Sequence, residues 1–110
     1  MNYSMETLKT DVKVPFYFNY EDDEQSTADV VVYLHPMGSI CYVDGFEVSR
    51  IHDFFNGGET EEIVTDQEKI FEAINRFSTP DRFIEAVLRA VSDMLISIEQ
   101  PRVVAITPEA

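Results

Sequence analysis

A chain of 110 residues has the length of one ordinary domain, and 45% hydrophobic residues, with eight Phe and five Tyr, argue against disorder even at a net charge of −13. So large a negative charge, with a pI near 4.2, argues against direct binding to nucleic acid or to anionic membranes, which repel it, and favours basic protein surfaces as partners. The single Cys41 forms no internal disulfide, and no stretch has the apolar length of a signal-peptide core or a membrane span, so the chain reads as soluble and cytoplasmic.

Residues 1–11 are mixed and polar and read as a frayed lead-in. Val12 to Tyr20 alternates, with Val12, Val14, Phe16, Phe18 and Tyr20 on one face and Lys13, Pro15, Tyr17 and Asn19 on the other, which predicts a strand with one buried face. Pro15 has no N–H to give to a ladder, so either this strand belongs at a sheet edge or Pro15 is its unpaired beginning. Glu21 to Asp29 carries five carboxylates and no base, the composition of a solvated connection. Asp29 to His35 is β-branched and uncharged from Val30 to Leu34, which suits a central strand covered on both sides. Pro36 to Ser39 supplies turn chemistry before a second short strand, Ile40 to Val43, and Asp44-Gly45 reads as a further turn ahead of Phe46 and Val48. Ile51 to Phe55 either extends that strand or forms one helical turn, until Asn56-Gly57-Gly58 interrupts it. Glu59 to Val64 reads as an acidic loop in preference to the alternative, a short exposed strand whose only apolar residues are Ile63 and Val64.

Thr65 and Glu68 have the spacing of a capping box, with a helix after them whose stripe is Ile70, Phe71, Ile74 and Phe77. Thr79 caps a second helix, Pro80 suits its first position, and Asp81 complements its dipole. Phe83, Ile84, Val87, Leu88, Val91, Met94, Leu95 and Ile98 form the stripe of this long helix, which Pro101 ends. Arg102 to Thr107 is either a last short strand or an ordered tail.

Strands followed by helices, without βαβ alternation, predict one α+β domain over residues 1–110: an antiparallel β-meander of about four strands followed by two helices packed on one sheet face, with residues 1–11 and 107–110 fraying. The expected core is Phe16, Phe18, Val30, Val32, Leu34, Ile40, Tyr42, Phe46, Val48, Ile70, Phe71, Ile74, Phe83, Ile84, Val87, Leu88, Val91 and Leu95.

Nothing here names a reaction. Glycines are too few and wrongly placed to cradle phosphate, and His35, His52 and Cys41 lack metal-ligand spacing, so no cofactor or metal is expected. Cys41 lies in the apolar run Ile40 to Val43, where a cysteine behaves as a small hydrophobe, so no enzyme is expected either. The remaining signal is where the carboxylates fall. All but one of the thirteen net negative charges lie between Glu21 and Glu72, because Arg76, Arg82, Arg89 and Arg102 nearly balance the acids that follow.

Acidic runs of this kind keep a small domain soluble, or they imitate the phosphates of nucleic acid before a partner whose groove is lined with Lys and Arg. The second reading predicts a non-enzymatic inhibitor or neutralising protein of a basic, nucleic-acid-acting protein such as a nuclease. Bacterial immunity proteins and phage anti-defence proteins work in this way as DNA mimics; the analogy is one of charge and size. Glu21, Asp22, Asp23, Glu24, Glu59, Glu61, Glu62, Asp66 and Glu68 would meet the partner's cations, with Phe54 and Phe55 either its apolar anchors or core residues. The alternative is a structural or regulatory interaction domain, a homodimer through an open sheet edge, whose acidity serves solubility alone.

Overall fold

Alternating apolar residues fold the first half of the chain into long strands, and two amphipathic helices then close over one side of them. The computed structural model describes residues 8–19, 24–53 and 62–108. Its elements are β1 (Leu8–Asn19), β2 (Glu24–Met37), β3 (Ile40–Asp53), β4 (Glu62–Val64), α1 (Gln67–Phe77), α2 (Pro80–Ser97) and β5 (Val103–Ile106). Strands β1 to β4 form an antiparallel meander, and β5 returns to pair with β3 in parallel, so the predicted α+β architecture holds with one strand added.

Because side chains alternate along a strand, register decides which residues meet the helices. Val12 and Val14 of β1, Ala28, Val30, Val32 and Leu34 of β2, and Cys41, Val43 and Ile51 of β3 are buried on one face. Opposite them sit Ile70, Ala73 and Ile74 of α1 and Phe83, Val87, Val91 and Leu95 of α2. Each fully buried Val contributes about 1.5–3 kcal/mol relative to exposure, so this shared core is the main support of the fold. Pro15 stands on the sheet edge, as expected, and a register shift between Pro15 and Tyr17 marks a bulge there. The bulge reverses the alternation after Pro15: Tyr17, predicted to face away from the core, turns to the helix side and stacks on Phe77 of α1 with ring centroids 4.1 Å apart.

The structure corrects several boundaries. Strand β1 begins at Leu8, paired with Leu34, where a frayed lead-in was expected. Strand β2 begins at Glu24, because Ser26 and Ala28 are buried small residues within the stretch that reads as a solvated connection. Asp44-Gly45 is not a turn. β3 runs through it for 14 residues, with register shifts opposite Asp29/Val30 and Tyr33/Leu34 that leave Ser49 and Asp44 as the extra residues of two β-bulges. The second bulge and the short hairpin before it also set the phase of Ile40 to Val43: Cys41 and Val43 are buried, whereas Ile40 and Tyr42, assigned to the core from sequence, lie on the other face and are only partly covered.

Glu62–Val64 is a strand, pairing with Ile51 to Asp53, where a loop was expected. The cap of α1 is Asp66, whose carboxylate accepts from the N–H groups of Glu68 and Lys69 at 3.0 and 3.3 Å, so Thr65 does not serve. Phe71 is 67% exposed and Ile98 52% exposed, so neither belongs to the core stripe of its helix. Helix α2 starts as predicted, with the Thr79 hydroxyl accepting from the Arg82 N–H. It ends in a Schellman arrangement, with the N–H groups of Glu99 and Gln100 on the carbonyls of Ile96 and Leu95 and Glu99 at φ 59°. Thr107, expected to fray, donates its N–H to the Val43 carbonyl and its hydroxyl to the Asp44 carboxylate. The expectations for Tyr20 and for the Asn56-Gly57-Gly58 interruption, and the side chain of Phe18, lie outside what the structure describes.

Candidate functional site

Two features on this scaffold have chemistry to offer, and the first is the acidic end of the sheet. Asn19 pairs with Glu24 at the close of the first hairpin, and Asp53 pairs with Glu62 at the close of the third. Thr27 pairs with His52, so both closures stand at the same end of the sheet, opposite the Gly38-Ser39 turn. Glu24 and Glu62, which terminate the two acidic runs, therefore stand at the same end of the sheet, on β2 and β4 with β3 between them. Glu21, Asp22, Asp23, Phe54, Phe55, Glu59 and Glu61 lie outside the described residues. Asp66 and Glu68 sit farther along, at the start of α1. There Asp66 is occupied in capping and Glu68 is exposed on the first turn, where the helix dipole favours a carboxylate.

Asp29 is the one carboxylate of the Glu21 to Asp29 stretch that the structure sets apart. Its Oδ2 lies 2.9 Å from His52 Nε2 and 3.7 Å from Arg50 Nε, on the sheet face away from the helices. The Ser49 hydroxyl donates to its backbone carbonyl at 3.0 Å. Its charge is met within the fold.

His35 and Cys41, close in sequence, are kept apart by register. His35 pairs with Tyr42 and Pro36 with Cys41, so the thiol faces the helices while the imidazole faces the other way. Cys41 is fully buried. Burial pushes its thiol above the usual value, Arg102 draws it down and Asp44 raises it, so little of it is a thiolate nucleophile near neutrality. Among the described residues no group of three or more His, Cys, Asp or Glu converges as metal ligands do, and no described helix is long and apolar enough to cross a membrane.

The second feature gave little sign in the sequence. Strand β3 pairs with β2 along its length, but on its other edge β5 covers only Ile40 to Val43 and β4 only Ile51 to Asp53. Among the described residues no strand pairs with Asp44 to Arg50 on that edge. A side chain takes part of the vacancy: the Gln67 amide donates to the Val48 carbonyl at 3.0 Å. Beside this bare stretch, between β3, α1 and the start of α2, opens an apolar cleft of about 770 Å³, within the size range of clefts that hold ligands or partner side chains. Phe46 and Phe83 meet across it with ring centroids 6.0 Å apart. The only hint of it available in the sequence was the adjacency of Ile70 and Phe71, since one helix face directed at a flat sheet seldom buries two successive large residues.

Comparison with known proteins adds no relative: no family model matches the chain, and neither does any curated protein or solved structure.

Proposed function

We propose that the protein is a non-enzymatic, acidic inhibitor or neutralising protein that binds a basic, nucleic-acid-acting protein, a nuclease or similar, as a DNA mimic of the immunity-protein or anti-defence kind. One observation supports the reading most: the two most acidic runs, ending at Glu24 and Glu62, attach to the same end of one sheet. Carboxylates gathered at one end of a rigid scaffold approximate the charge density that a Lys- and Arg-lined groove is built to receive, and they speed encounter through long-range attraction.

The test is capture of binding proteins from the native lysate at low and high salt, with duplex DNA as competitor. Capture should fall as salt rises, duplex DNA should displace the captured protein, and Glu59→Lys with Glu61→Lys and Glu62→Lys should abolish capture. Capture that survives both the triple reversal and high salt would sink the proposal. The second reading, an interaction domain that pairs with its own copy, has its support in the unpaired Asp44 to Arg50 edge of β3. Sedimentation across the same salt series separates the two, because strand pairing persists at high salt and an electrostatic complex does not.

A further inference from the structure

The cleft beside β3 is walled by Phe46, Val48, Ile70, Ile74, Phe83 and Ile84, and the exposed Phe71 stands at its mouth. The charged residues along its lip have one sign. Side chains three apart on a helix share a face, so Glu68 flanks Phe71 and Glu72 flanks Asn75 on the cleft side of α1, while Lys69 and Arg76 fall on the far side. On α2 the same spacing sets Asp81 beside Ile84. Arg89 of that helix belongs to the opposite flank, where it lines a separate groove with Asp11 and Lys13 of β1. Glu47 lines the cleft from β3. The nearest cation of that strand, Arg50, is turned to Asp29.

We propose that this cleft docks a segment of the partner protein that presents a large apolar side chain between lysine or arginine residues. The inference rests on the reading that the partner is a basic protein, and it assigns that partner a second, apolar contact. An apolar side chain leaving water for the cleft supplies affinity, and cations on either side of it meet Glu47, Glu68, Glu72 and Asp81, which supply selectivity. An anionic ligand would be repelled by the same lip. A neutral apolar ligand would gain nothing from the carboxylates.

The test uses the full chain and three short fluorescent peptides followed by anisotropy: a central Phe flanked by Lys and Arg, the same peptide with Ala for Phe, and the same peptide with Glu for each cation. The first should bind, and each replacement should weaken it by about tenfold, the usual scale of losing one anchor or its charge match. Phe71→Ala and the pair Glu68→Lys with Glu72→Lys should each weaken the first peptide comparably. These are exposed positions, so circular dichroism of the variants should match that of the parent. Equal binding of the Ala peptide or of the Glu peptide overturns the proposal, as does undiminished binding to Phe71→Ala. A concentration-dependent dimer that Phe71→Ala dissolves also overturns it, because a second copy would then fill the cleft. Loss of peptide binding with partner capture intact refutes the cleft alone. Intact peptide binding with capture insensitive to salt and to the Glu59, Glu61 and Glu62 reversals refutes the acidic end alone.

Discussion

The two ends of β3 and its middle are parts of one strand with opposite fates. Ile40 to Val43 lies between β2 and β5, and Ile51 to Asp53 lies between β2 and β4, so both ends have strand neighbours on each edge. Their inward residues, Cys41, Val43 and Ile51, are at most 1% exposed. The middle, bracketed by the bulges at Asp44 and Ser49, has β2 alone, and its inward residues Phe46 and Val48 are only half-buried. A strand held on both edges and roofed by helices is finished structure, whereas an edge left bare next to an apolar cleft can still gain a partner. The contrast separates residues that hold the fold from those free to recognise something.

The largest expected effect tests that separation directly. Ile51→Ala should cost about 3–4 kcal/mol in urea unfolding, because a fully buried Ile leaves a cavity that doubly paired neighbours cannot close. Phe71→Ala, with a larger side chain but two-thirds exposure, should change stability by no more than about 0.5 kcal/mol. Similar costs for the two would mean that Phe71 is a core residue and that the cleft is closed in solution.

Local alternation made the sequence legible where one face was clearly apolar. Val30, Val32 and Leu34 and the Phe83, Val87, Val91, Leu95 stripe belong to the core as expected, because a buried face and a wet face differ in composition there; Val12 and Val14, set on one face but left out of the expected core, are buried too, and Val31 and Tyr33, expected under a second cover, are only partly covered. The stretch from Ile40 to Val43 defeated the same logic, since it is apolar on both faces and only the hairpin register decides which side is covered. Strand β4 has Ile63 and Val64 as its only apolar residues, and its identity comes from pairing with β3 rather than from its own propensity. The acidic runs were visible at once, but that Glu24 and Glu62 stand at one end of the sheet follows from hairpin topology, which no local pattern encodes. The cleft lies between elements distant in sequence, and Phe71 fitted the helical spacing well enough to pass for core.

The two glycines that read alike as turn residues sharpen the comparison on a smaller scale. Gly38 begins the two-residue turn between β2 and β3 with φ 61°, a conformation that favours glycine, so Gly38→Ala should lose about 1 kcal/mol. Gly45 has no positive φ, and a Cβ there would meet nothing within 4 Å. Gly45→Ala should instead gain about 0.4–1 kcal/mol by restricting the unfolded chain. A destabilised Gly45→Ala would mean that Asp44-Gly45 turns the chain after all, and the bare middle of β3 would then be no strand edge.

The last effect vanishes at neutral pH and concerns the finished end of β3. Cys41 is held there with its thiol raised above the usual value, first by burial, with Arg102 opposing and Asp44 adding to the shift. The unfolded chain ionises this thiol above pH ~8.5, while the folded chain still holds the proton. The folded state therefore binds more protons in that window, and stability falls as pH rises, having been complete below it. All other ionisable groups are common to the parent and Cys41→Ala, so the difference between their urea-unfolding free energies isolates the thiol. That difference should be flat near pH 7 and should shift above pH ~8.5, with the parent losing stability more steeply. A difference that stays constant into the alkaline range would place Cys41 in water, and the doubly paired end of β3 would then be as open as its middle.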